Sequence, residues 1–171
     1  PDAADMRFCL PLLLLAAPSV ARAADGLHFE NDILPVLGRH GCNTSGCHGK
    51  AEGQGGLKLS VFASDPEADH AAVTKEARGR RVLPSAPDES LFLRKASGRT
   101  PHGGGTRIPA GSEDYKTLRD WIAAGTPVGS PDAPKVVALR VEPTERVMAP
   151  KSEQQLKVFA RYSNGTDKDV T

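Results

Sequence analysis

The sequence has almost no net charge. Its 22 Lys and Arg are set against 21 Asp and Glu, a formal +1. That balance gives no electrostatic argument for a nucleic acid or an anionic membrane surface as partner. The densest basic stretch is Arg78-Gly79-Arg80-Arg81. Long apolar runs are missing too: the one concentrated run, residues 8–17, is too short for a stable bilayer span. Cysteine is scarce, at three residues, and so is methionine, at two. No Ser/His/Asp set, phosphate-cradling loop or carboxylate pair stands out, so the chain is not read as an enzyme. There is no internal repeat.

Turn-forming residues are abundant, with 17 Gly and 14 Pro among 171 residues. Many turns and short elements are expected. The length allows one ordinary domain, or one small domain with part of another.

The N-terminus has the three parts of a secretory signal peptide. Met6-Arg7 supplies the charge, residues 8–17 the apolar run, and Ala21-Arg22-Ala23 the cleavage site. Residues 1–23 are therefore read as upstream residues plus signal. The protein is expected to be exported, to a periplasmic or extracytoplasmic location, with a mature chain starting near Ala24. Cys9 and Met6 would leave with the signal, so that Cys42, Cys47 and Met148 remain. An oxidising compartment would permit a disulfide between the two cysteines. No other stretch is apolar enough to cross a membrane.

Three further parts follow. Residues 24–128 hold all five His. Residues 129–135, with Pro131, Pro134, Gly129 and Ser130, read as a linker. Residues 136–171 partly alternate apolar and polar side chains, and Ser163-Asn164-Gly165-Thr166 carries a hairpin signal. In the first part three helices are expected. Residues 29–39 have apolar positions at 29, 33, 34, 36 and 37, with Pro35 marking a kink or a later start. Residues 87–96 place acids in the first turn and Arg94-Lys95 in the last. Residues 112–124 begin at Ser112 and end at Gly125, with Tyr115, Leu118, Trp121 and Ile122 on one face. Residues 49–56 read as a flexible loop.

The chemistry concentrates in Gly41-Cys42-Asn43-Thr44-Ser45-Gly46-Cys47-His48-Gly49. A Cys-His pair preceded by a second Cys is the pattern of c-type haem attachment, in which two thiols add to the haem vinyl groups and the adjacent His reaches the iron. The usual spacing has two residues between the cysteines, and here there are four. Gly46 and Gly49 would let the backbone approach a flat macrocycle. Two other readings stay open on the motif alone. One is a Cys42–Cys47 disulfide with His48 incidental. The other is a zinc site, which lacks a second Cys pair with ligand spacing.

The neighbouring segments carry a resemblance. The stretch 29–37, the cysteine segment, Gly55-Gly56-Leu57-Lys58-Leu59-Ser60, Arg80-Arg81-Val82, residues 87–95, residues 101–107 and residues 115–125 follow one another as in planctomycete-type cytochrome c-like domains, in the subgroup with four residues between the haem cysteines. The resemblance covers residues 27–128. It implies a small, mainly α, cytochrome c-like helical domain binding one covalent haem c. Cys42 and Cys47 would be the thioether ligands and His48 the proximal iron ligand. The commoner pattern supplies a distal Met after the middle helix. Here that place reads Pro101-His102-Gly103-Gly104-Gly105-Thr106-Arg107. Met148 reads as a core or edge side chain of a strand. The sixth ligand is then His102, another His, water or nothing; His102 is favoured, with a five-coordinate iron as its alternative. Arg80, Arg81 and Arg107 are candidates to pair with the haem propionates, against a solvated surface role. His28, His40 and His70 read as surface or helix-end residues.

Residues 136–171 resemble the opening strands of a bacterial Ig-like group 2 domain. That fold needs about seven strands over roughly 100 residues. The segment is therefore expected to be the truncated N-terminal part of such a domain, and the chain a piece of a larger polypeptide. A two-hairpin appendage is the alternative. The expected function is one-electron transfer through a haem, with a redox partner protein that the sequence does not identify. The competing readings are a non-haem envelope or adhesion module stapled by a disulfide, and a haem sensor or peroxidase-like site with an open sixth position.

Overall fold

The computed structural model of the protein describes residues 26–49 and 51–171. The export signal read at 6–23 lies outside these residues.

The chain begins with a wide π-type turn, Phe29–Ile33, that runs directly into helix α1, Leu34–Arg39. Pro35 explains the division. It has no N–H to give to the preceding turn, and it sits in the first turn of α1, where that loss is tolerated. His28 caps the start, its Nδ1 accepting from the Asn31 N–H at 3.3 Å. All five apolar positions, 29, 33, 34, 36 and 37, are buried.

Helix α2, Pro66–Thr74, is capped by Asp65, whose carboxylate accepts from the Ala68 N–H at 3.1 Å. A short 3-10 turn, Pro87–Glu89, precedes helix α3, Leu91–Ala96. The helix expected over 87–96 is thus broken at Ser90, which is extended (φ −56°, ψ 130°). The break has a local cause: Ser90 is buried and its Oγ accepts from the Leu83 N–H at 2.9 Å. Helix α4, Glu113–Ala123, starts where Ser112 Oγ accepts from the Tyr115 N–H at 3.2 Å and stops before Gly125 (φ +84°).

The core lies between the Phe29–Ile33 turn, α1, α3 and α4. Trp121 is its largest member and is fully buried. Its Nε1–H donates to Pro127 O at 2.8 Å, which satisfies the one polar group it brings inside. Its ring lies 5.5 Å from that of Phe29.

After residue 135 the chain forms an antiparallel sheet in the order β1, Val136–Glu142; β2, Lys157–Tyr162; β3, Asp167–Asp169. Gly165 (φ +82°) makes the turn between β2 and β3. Strand β1 is exposed along its whole length. Met148 lies outside the strands and is exposed, not the strand side chain that was expected. Lys168 Nζ meets Asp32 at 3.0 Å and Asn31 Nδ2 donates to Pro134 O at 2.8 Å, which ties the sheet to the helical part.

The expectation of a mainly α chain built on a cytochrome c-like helical domain does not hold. Among the described residues, helix of all kinds makes up 32% and strand 12%, with four short α-helices and one three-stranded sheet. The physical reason is the turn chemistry. Pro35 and the extended Ser90 divide two of the three periodic stretches, and α4, the longest helix among the described residues, has only 11 residues. Among the described residues no helix is long and apolar enough to cross a membrane.

Candidate functional site

Helix α1 ends at Gly41 (φ +69°), and the cysteine segment folds immediately beyond it. Cys42 N–H donates to Leu37 O at 2.8 Å, so Cys42 is hung from the end of the helix. The residues between the cysteines close a compact loop. Cys47 N–H donates to Thr44 O at 3.0 Å, and His48 N–H donates to Cys42 O at 2.9 Å. The longer spacing is thereby absorbed, and the backbones of Cys42 and His48 are hydrogen-bonded neighbours. Gly49 is needed for this closure. A Cβ there would sit 2.1 Å from Asn43 O. Its role is close packing inside the loop, not the approach to a macrocycle expected for it. Gly46 has open space around it and lines the cavity described next.

A cavity of about 640 Å³ opens against this loop. Cys42, Cys47, His48 and His102 all line it, with Leu57, Leu59 and Phe92 among the apolar walls. Both cysteines are free thiols. Burial, reinforced by the nearby Cys47, pushes the Cys42 thiol up to about 11, with Arg107 opposing the shift. Cys42 is therefore a neutral thiol at neutral pH.

The two histidines face each other across the cavity. Their ring centres are 6.1 Å apart and their planes differ by only 10°. Each is oriented from behind. His48 Nδ1 lies 3.1 Å from Leu57 O, and His102 Nδ1 lies 2.9 Å from Gly105 O. A carbonyl can only accept, so in each neutral ring Nδ1 carries the proton and Nε2 keeps its lone pair. Burial lowers the His48 pKa, and the facing His102 lowers it further, against the pull of the Leu57 bond. Both features hold His48 as the neutral imidazole that metals bind.

The sequence placed the arginines less well. Arg81 lines the cavity but is buried, and its two terminal nitrogens donate to Ala72 O and Gly56 O. Arg107 lines the cavity with its Nε–H donating to Gly104 O at 2.8 Å. Arg80 lines it and is exposed. Lys95, which the sequence presents as a residue suited to a helix C-terminus, also lines it. No sequence signal separates that role from the ordinary one. The remaining histidines lie elsewhere. His28 caps the first turn, His40 ends α1 with Asp114 at 2.8 Å, and His70 Nε2 lies 2.9 Å from Thr126 O. Among the described residues no three His, Cys, Asp or Glu side chains gather as a site for a bare metal ion.

Comparison with known protein families, with curated proteins and with solved structures returned no match.

Proposed function

We propose that the cavity is the seat of one covalent haem c and that the protein is an exported one-electron carrier. The observation that carries this reading is the convergence of Cys42, Cys47, His48 and His102 on a single cavity, with Nδ1 of each ring taken up by a backbone carbonyl. The donor set fits the group. Two imidazoles sharing one iron have ring centres about 6 Å apart, from a bond of about 2 Å on each side plus the distance from each nitrogen to its ring centre. The separation here is 6.1 Å. The sequence resemblance at residues 27–128 points to the same group, although the mainly α domain it implied does not hold.

In this reading Cys42 and Cys47 hold the group through thioethers, His48 is the proximal ligand and His102 the distal one. The bound iron supplies reversible one-electron chemistry. The chain's own contribution is ligation, burial and fixed tautomers. Leu57 O and Gly105 O hold the two Nδ1 protons, so neither ring needs to rotate or exchange a proton when the iron changes charge. Were His48 and His102 both to hold the iron, electron transfer to a redox partner would be favoured over the sensor or peroxidase reading, which needs an open position.

The test is expression of the full chain with a c-haem maturation system, followed by an absorption spectrum and a haem stain on denatured protein. Haem that survives denaturation, with a reduced α-band of the c type, is the expected result. No covalent haem, together with a Cys42–Cys47 disulfide found by mass spectrometry, would replace this reading with the stapled envelope module.

A further inference from the structure

The cavity carries an unbalanced charge. Among the described residues four cationic side chains line it, Arg80, Arg81, Lys95 and Arg107, and no Asp or Glu does. They are committed to different degrees. Arg81 braces the wall through Ala72 O and Gly56 O, with Glu76 4.0 Å away. Arg80 has no hydrogen bond or ion pair through its side chain among the described residues. Lys95 Nζ donates to Pro101 O at 2.9 Å and Arg107 Nε donates to Gly104 O at 2.8 Å. Pro101 and Gly104 flank His102, so both cations are seated on the loop that carries the distal histidine. The terminal nitrogens of Arg107 have no other partner among the described residues. The frame below is shared, since Ala96 O accepts from both Arg107 N–H and Ile108 N–H, at 2.9 and 3.0 Å. That bond pair ties the end of α3, which bears Lys95, to the segment that bears Arg107.

Uncompensated cations around one cavity repel one another, and the repulsion grows when apolar surface displaces water. A ligand bearing acidic groups removes that cost, and ammonium and guanidinium donors suit carboxylates. We propose that Lys95 and Arg107 form a carboxylate-recognition pair on the His102 loop, with Arg80 adding charge. The cavity then selects a flat ligand with two acidic substituents over its uncharged esters. This rests on the haem reading, in which the acidic substituents are the two propionates. It moves that role from Arg81, whose donors face backbone carbonyls, to Lys95.

An absorbance titration of the apo-protein with iron protoporphyrin IX, and separately with its dimethyl ester, tests the proposal in the wild type and in K95Q/R107Q. The wild type is expected to prefer the diacid by roughly tenfold, less so as ionic strength rises. K95Q/R107Q is expected to bind both compounds about equally, with the two-imidazole spectrum retained. Equal affinity in the wild type, or an unchanged preference in K95Q/R107Q, would overturn the pair while leaving haem binding intact. Binding of neither porphyrin would overturn the haem reading and this inference with it. Should K95Q/R107Q fail to fold, the wild-type salt series decides, because a preference insensitive to salt overturns an ionic pair.

Discussion

The imidazole rings of His48 and His102 stand 6.1 Å apart with their planes within 10° of parallel. One ring comes from the cysteine segment and the other from a glycine-rich loop more than fifty residues later. Two backbone carbonyls, Leu57 O and Gly105 O, hold both rings with the same nitrogen turned away from the cavity. The haem reading proposed above takes these two rings as the pair that would hold the iron, each fixed by a carbonyl acceptor.

Replacing His102 tests the role proposed for it as an iron ligand. His102→Ala is expected to retain covalent haem, which depends on Cys42 and Cys47, but to lose the low-spin six-coordinate spectrum. His102→Met is expected to raise the reduction potential, since a thioether ligand favours the reduced iron. Spectra and redox titration of the purified holoproteins check both. An unchanged spectrum in His102→Ala would remove His102 as ligand.

The apo-protein is expected to be most stable between about pH 6.5 and 9, with losses on both sides. His48 has a folded pKa below its ordinary 6.5. The unfolded chain therefore takes up the proton first, and stability falls as pH drops below that value. Cys42 has a folded pKa of about 11 against an ordinary 9.0. Its contribution is fully present below pH 9 and is lost as pH rises through 11, an effect of about 3 kcal/mol at most. Urea unfolding of reduced apo-protein across this range measures both limbs. Cys42→Ser is expected to flatten the alkaline limb only.

Part of the candidate site is legible in the sequence because three of its chemistry-bearing residues are near neighbours in the chain. Cys42, Cys47 and His48 are close in sequence and line one cavity. Helix α4 was legible for a similar local reason, with its cap at Ser112 and its apolar face on one side. Helix α2 was not. Its buried face includes Asp69 and His70. Asp69 accepts from the backbone N–H and Oγ–H of Ser60, and His70 meets Thr126 O. A helix that buries satisfied polar groups shows no hydrophobic periodicity. The burial of Arg81 and the carbonyl partners of Arg81 and Lys95 were not legible, because they depend on which carbonyls the tertiary fold brings within reach. The same limit applies at Ser90, which divides a stretch whose periodicity is continuous, whereas the division at Pro35 could be read from the proline itself.

Gly49 and Gly46 are expected to behave oppositely. A methyl group at position 49 meets Asn43 O at 2.1 Å and Thr44 O at 2.9 Å, both backbone atoms that cannot swing aside. Gly49→Ala should cost about 2–3 kcal/mol and lower the yield of covalent haem. Position 46 has nothing within 4 Å, so Gly46→Ala should stay within about 0.5 kcal/mol of the wild type. Thermal unfolding of the two apo-variants, with haem stain of the matured forms, checks the pair. Equal effects would mean that the loop closure is not what Gly49 provides.

Arg81→Met tests whether this guanidinium supports the cavity wall or holds the ligand. In the structure its terminal nitrogens satisfy Ala72 O, on α2, and Gly56 O, on the loop after the cysteine segment. Methionine keeps much of the apolar stem but leaves both carbonyls without a donor, at about 1–3 kcal/mol for each group that stays dry. The expected outcome is a clear loss of stability with the preference for diacid over diester porphyrin retained. Arg81→Lys should recover only part of the stability, because an ammonium lacks the planar fork that spans two acceptors. The opposite pattern, with stability preserved and the diacid preference lost, would return Arg81 to the role of carboxylate ligand. It would leave Lys95 and Arg107 as rim charges.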